Sequence, residues 1–285
     1  MGFTEHQYQS RDGLSLYYRS YGSGTQSVLC LPGLTRNSKD FHEIAGQLAS
    51  RYRVICPDLR GRGQSARDPE WKNYVPGTYV HDTWELVNLL GIERFIIVGT
   101  SLGGLMAMIM ASQHPRRVRA IVLNDIGPEV NPAGYARVLD ASSDSVDVKN
   151  WQEAAQQCRE SKTPMLPGMP EEFWETYARK TYREGADGTP EYDMDQNVYR
   201  VFHEGKLKQV AGSPVDPWDA FRAVNMPCLV LRGELSDFLS EEIVGRMTRV
   251  KPDLQQALIP NRGHAPLLDE PESVAAIDKF LAQLP

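Results

Sequence analysis

The chain has 285 residues, 41% of them hydrophobic and 24% charged, a composition suited to one sizeable α/β domain with an insertion. Its net charge of −6 argues against a nucleic-acid partner. No apolar run approaches the roughly 20 residues of a membrane span, and the residues after Met1 lack a basic-then-apolar export pattern. A cytoplasmic protein without a membrane partner is therefore expected.

In chain order, residues 11–21 alternate Leu14, Leu16 and Tyr18 and read as an antiparallel edge strand. Gly22-Ser23-Gly24 is a turn, too short for a dinucleotide fingerprint. From about 27 to 125, strands alternate with helices. Val28-Leu29-Cys30 is a strand, and Asp40–Ser50 is a helix with Phe41, Ile44, Ala45 and Leu48 on one face. Pro57 to Ser65 is a loop whose glycines allow backbone turns, and Arg60 and Arg62 read as structural parts of it. Thr78–Leu90 is a second helix, with Val80, Trp84, Val87 and Leu90 aligned. Such alternation predicts parallel strands joined by right-handed crossovers.

Phe95-Ile96-Ile97-Val98 is an apolar strand that runs straight into Gly99-Thr100-Ser101-Leu102-Gly103. After it, Leu102, Leu105, Met106 and Ile109 recur at helical spacing. A serine between a buried strand and a helix, with small neighbours, is a nucleophile elbow. The helix that follows aims free N–H groups at the same spot.

The middle region, 128–218, changes character. Prolines 128, 132, 164, 167, 170, 190, 214 and 217 punctuate amphipathic helical pieces, with no strong strand. It is read as a helical cap inserted into a core formed by 1–127 and 219–285. Trp151, Phe173 and Trp174 of the cap, with Phe238, are the expected pocket residues.

The C-terminal third supplies a base and an acid. Met226–Leu231 is a strand that ends in Arg232-Gly233-Glu234-Leu235-Ser236-Asp237. Leu254–Ile259 is another, followed by Gly263-His264-Ala265-Pro266 and a last helix from near Pro271. Of the six histidines, His264 alone sits in a loop after a late strand. Ser101, Asp237 and His264 thus follow the order Ser, acid, His, each beyond a strand's carboxyl end. Asp237 also reads as a helix N-cap before Leu239, and Glu234 is a rival for the acid role.

Together these motifs resemble the α/β-hydrolases, over nearly the whole chain apart from the middle. Leu31-Pro32-Gly33-Leu34 resembles the family's oxyanion loop, with Pro32 where many members carry histidine. Pro57–Ser65 resembles its Asp-x-Arg-Gly-x-Gly-x-Ser stretch. The resemblance implies a mostly parallel sheet flanked by helices, with Ser101 as nucleophile, His264 as base and Asp237 as acid. It also implies the backbone N–H groups of Leu34 and Leu102 as the oxyanion hole. Some relatives take their acid from the position of Asp125, just past the strand Val118–Leu123.

The expected activity is hydrolysis of a small ester or lactone through an acyl-enzyme, with no cofactor and no metal. A carbon–carbon hydrolase and a non-catalytic binding protein are the alternatives. Thr100, rather than asparagine, before the serine weighs against the first. Cys30, Cys56 and Cys228 fall in strands and read as small buried hydrophobes, and Cys158 lies in a polar helical stretch. The sequence leaves the oligomeric state open.

Overall fold

The computed structural model describes residues 2–140, 147–203 and 216–284. Four apolar runs form the middle of the sheet: β3 (Gln26–Leu31), β5 (Phe95–Thr100), β6 (Val118–Asn124) and β9 (Cys228–Gly233). They are buried nearly end to end, as expected of parallel strands covered on both faces. β4 (Tyr52–Pro57), β2 (Ser15–Tyr21) and β1 (Thr4–Gln9) extend one side, and β10 (Gln255–Ile259) the other. The eight-stranded order is β1-β2-β4-β3-β5-β6-β9-β10, with only the β1–β2 and β2–β4 pairs antiparallel.

The edge differs from the sequence reading. β2 is not an edge strand, because β1 pairs outside it from Thr4↔Ser20 to Gln9↔Ser15. Five of the six β1 residues are exposed, and the polar run Thr-Glu-His-Gln-Tyr-Gln carries no apolar alternation to announce a strand. Its order comes from pairing with β2.

Helices cover both faces. α1 (His42–Leu48) and α10 (Pro271–Ala282) bury Ile44, Leu48, Ile277 and Phe280 on one face. α2 (Pro76–Leu89), α3 (Leu102–Gln113) and α8 (Pro217–Arg222) bury Val80, Met106, Met110 and Phe221 on the other. The helix expected over Asp40–Ser50 is split: a 3₁₀ turn, Ser38–Phe41, is capped by the Asn37 side chain before α1 begins. α9 (Glu241–Val250) starts at Ser240, so Ser240 rather than Asp237 is its N-cap.

Between β6 and β9 lie α4 (Pro132–Asp140), α5 (Trp151–Lys162), α6 (Glu171–Thr181) and α7 (Asn197–His203). α5 and α6 form their own small core from Ala154, Cys158, Trp174, Tyr177 and Ala178. A hairpin of β7 (Tyr182–Glu184) and β8 (Pro190–Tyr192) follows α6. Three-residue strands are too short to show a period, so the sequence gives no sign of them. Residues 141–146 and 204–215 of the expected cap lie outside the described residues.

This segment is tied by hydrogen bonds to the loop after β4 and to residues flanking α1 and α2. Gly63 N–H donates to Asp193 O at 3.0 Å, and Asp195 N–H donates to Gly61 O at 2.7 Å. Lys39 Nζ donates to the Asp193 carboxylate at 2.7 Å, and Tyr74 Oη donates to that of Asp195 at 2.7 Å.

Candidate active site

The site grows from register. Leu31 pairs with Gly99, Thr100 with Asn124, and Asn124 with Leu231, so β3, β5, β6 and β9 end at one level. Ser101 and Asp125 are the next residues of adjacent strands, and both turn sharply with positive φ, 50° and 54°. A non-glycine residue in that region is strained, and such strain concentrates at functional sites. The Ser101 turn needs glycine behind it. A Cβ on Gly103 would lie 2.0 Å from Leu31 O, and one on Gly99 2.4 Å from Gly103 O. Ser101 N–H donates to Asn124 O at 3.1 Å, which locks the elbow to β6.

His264 arrives in the loop after β10. Gly263 N–H donates to Met165 O at 2.7 Å, tying that loop to the end of α5. Its Nε2 lies 2.9 Å from Ser101 Oγ and its Nδ1 2.9 Å from Asp125 Oδ2. The Asp125 side chain is fully buried, yet its carboxylate is well satisfied. Oδ1 accepts from Gly233 N–H at 2.8 Å, and Oδ2 accepts from Ser236 Oγ at 2.6 Å as well as facing His264. Phe238 stacks on the imidazole with ring centroids 3.9 Å apart, leaving the ring little freedom to tilt.

The acid assigned from sequence order is corrected here. Asp237 does not reach His264; its two oxygens accept from Arg137 Nε and Nη2, both at 2.6 Å. That guanidinium holds the Asp237 carboxyl below its usual range. Glu234 is elsewhere too, accepting from Asn261 N–H at 2.9 Å. The reason is geometric. Asp125 follows β6 directly, one strand from the elbow, whereas Asp237 is displaced by the turn after β9, where Ser236 takes the place beside Asp125. Ser236 is the residue that sequence reading missed; as one hydroxyl in a loop, it carried no signal.

Leu34 lies in the loop after β3 and Leu102 opens α3, one residue past Ser101, and both are half-buried. Among the described hydrogen bonds, neither N–H has a protein acceptor, whereas Gly104 and Leu105 N–H return to Ser101 O at 2.9 and 3.1 Å. The Leu34 carbonyl accepts from Arg62 Nε at 2.9 Å. Arg62 is 1% exposed, and its Nη1 donates to Arg60 O and Tyr79 Oη. The Leu34 loop is thus held from beneath by a buried guanidinium.

A cavity of about 200 Å³ opens onto Ser101 and His264. Its walls combine Leu34 and Phe41 with Leu166, Phe173, Tyr177 and Tyr192 from the helical segment. Of the four pocket residues expected from sequence, Phe173 lines this cavity. Trp151 does not: it sits outside under the Arg179 guanidinium, 3.6 Å from its ring centroid. Trp174 is buried in the α5–α6 core and lies outside the lining too, because packing between the helices claims its large apolar area. Phe238 reaches the site by stacking on His264 instead of lining the cavity. Cys158, expected on a polar helix, is buried and lines the cavity.

A wider groove of about 980 Å³ runs beside α2 and α3, past His81, Asp82 and His114, and none of Ser101, His264 or Asp125 lines it. Among the described residues, no cluster of three or more His, Cys, Asp or Glu is placed to hold a metal ion, and no helix is long and apolar enough to cross a membrane.

The chain matches the alpha/beta hydrolase fold family over residues 26–271. It is 31% identical to a 3-hydroxybutyrate-oligomer hydrolase from Cupriavidus necator, covering 92% of this chain and 91% of that one. It is 28% identical to a 2-(acetamidomethylene)succinate hydrolase from Mesorhizobium japonicum, covering 94% of this chain and 92% of that one. The crystal structure of an alpha/beta hydrolase from Novosphingobium aromaticivorans superposes with a TM-score of 0.91, 40% identity and 98% coverage of both chains.

Proposed function

Because the chain belongs to the alpha/beta hydrolase fold family, we propose that this hydrolase cleaves carboxylic esters or lactones of small molecules through an acyl-enzyme on Ser101. The observation that carries the reading is the hydrogen-bonded line Asp125–His264–Ser101, 2.9 Å at each link, at the mouth of a small part-apolar cavity. The 3-hydroxybutyrate-oligomer hydrolase supports the ester class.

The roles follow from position. His264 Nε2 takes the proton of Ser101 Oγ as the oxygen attacks the carbonyl carbon. Asp125 accepts from Nδ1–H, which fixes the tautomer and stabilises the imidazolium. The N–H groups of Leu34 and Leu102 receive the developing oxyanion, and losing one such donor costs roughly 3–4 kcal/mol of barrier in measured cases. The imidazolium returns its proton to the leaving alkoxide. Water then attacks the acyl-serine with His264 again as base. Residues 128–218 act as the cap, supplying Phe173 and Tyr177 to the substrate wall.

A fluorophosphonate is expected to label Ser101 and no other serine. Hydrolysis of a p-nitrophenyl ester series, acetate to decanoate, should fall about a millionfold in Ser101→Ala. Labelling at another serine, or esterase activity that survives Ser101→Ala, would overturn the assignment. Inert esters and lactones with Ser101 labelled would transfer the reaction to a carbon–carbon bond.

A further inference from the structure

The reaction cavity is cationic, although the chain as a whole carries a net charge of −6. Four cationic side chains line it, Arg36, Arg137, Lys162 and Lys180, against the two carboxylates of Asp40 and Asp269. Two of the cations are already matched. Arg36 donates to both oxygens of Asp40, at 2.7 and 2.6 Å, and to Thr181 Oγ1 at 2.7 Å. Arg137 is held by Asp237, just outside the lining. Lys162 is engaged as well, which leaves Lys180, facing Asp269.

Lys180 differs from the others. It closes α6 beside the cavity and is half-buried. Among the described residues, its ammonium makes no hydrogen bond and no ion pair within 4 Å. Its backbone is fixed, since the Lys180 carbonyl accepts from Asn37 Nδ2 at 3.3 Å. A half-buried ammonium that makes no hydrogen bond, on a fixed backbone in a part-apolar cavity of about 200 Å³, has Asp269 as its neighbouring carboxylate and is placed to take a second anion. Low-dielectric walls strengthen its pull.

We infer that the substrate is an acidic ester, carrying a carboxylate away from the scissile carbonyl, and that Lys180 is the specificity residue that pairs with it. This rests on the ester-hydrolase reading above and adds the charge of the substrate to it.

The test compares monoethyl succinate with ethyl 4-methylpentanoate, in which an isopropyl group replaces the carboxylate. Acid release is followed at constant pH. The wild type is expected to favour the hemiester at least tenfold in kcat/KM, mainly through KM. Lys180→Met should shrink that ratio at least tenfold and Lys180→Glu should reverse it. The preference should also fade as potassium chloride is raised. Equal use of both esters, or a ratio that Lys180→Met leaves in place, overturns the inference.

Should neither ester be turned over, the ester reading fails separately. Binding of monoethyl succinate to Ser101→Ala, by titration calorimetry, then decides the charge question. Binding at least tenfold tighter than to Ser101→Ala/Lys180→Met upholds it, and equal or undetectable binding overturns it.

Discussion

Asp125 Oδ2 lies 2.9 Å from His264 Nδ1, across 139 residues of chain, while Asp237 is turned away onto Arg137. Two carboxylates in the same neighbourhood thus have different fates. One is fully buried and accepts from Gly233, Ser236 and His264; the other is 39% exposed in a two-sided ion pair.

This relationship separates two substitutions. Asp125→Asn should lower kcat about 10⁴-fold while the fold persists, because the amide favours the wrong tautomer of His264. Asp237→Asn should change kcat less than tenfold and stability by under about 1 kcal/mol, since an exposed pair contributes little. Steady-state kinetics and urea melts of both variants decide it. A large loss in Asp237→Asn with Asp125→Asn active would return the acid role to Asp237.

Arg62 acts through Leu34. Removing its Nε–H, which donates to Leu34 O at 2.9 Å, frees the loop whose N–H is proposed as an oxyanion donor. Arg62→Met should reduce kcat 10- to 100-fold with KM within about threefold, as for groups that matter in the transition state more than in the ground state. A rise in KM at constant kcat would instead make Arg62 a substrate contact.

Gly103 is a packing requirement. An added Cβ would stand 2.0 Å from Leu31 O, a backbone atom that cannot yield without moving β3. Gly103→Ala should cost about 3 kcal/mol or more, at or above the upper end of ordinary overpacking. A melting temperature unchanged within a degree would show that the elbow relaxes freely.

Asp58 gives stability a pH dependence of known sign. It accepts from Ser38 N–H and Gln64 N–H at 2.7 and 2.8 Å, but burial outweighs those bonds and pushes its carboxyl up to about 6. Between the ordinary value of 3.8 and about 6, the folded state holds a proton that the unfolded state has released. Stability from this group therefore falls as pH rises through that window, by up to roughly 3 kcal/mol. Urea melts at pH 4.5 and 6.5 should show a smaller pH effect in Asp58→Asn than in the wild type. An equal effect in both would place the buried charge elsewhere.

The parallel sheet, the elbow and the His264 loop were readable from local pattern. Apolar runs of fixed length, glycines around Ser101 and a lone late-loop histidine are all properties of short stretches. The polar strand β1 was not, because its order comes from pairing with β2 and not from its own residues. Nor was the partition of Trp174 into a helix–helix core and Phe173 into the cavity wall, which depends on how α5 and α6 rotate against each other. Chain order placed a nucleophile, an acid and a base beyond three strand ends and assigned the acid to Asp237, with Glu234 as its rival; Asp125 entered only through the family resemblance. Which of them faces His264 is a matter of register. Thr100↔Asn124 pairing sets Asp125 beside the elbow, while the turn after β9 carries Asp237 to Arg137. Sequence can supply the carboxylates, but the distance from a carboxylate to an imidazole exists only once the strands have paired.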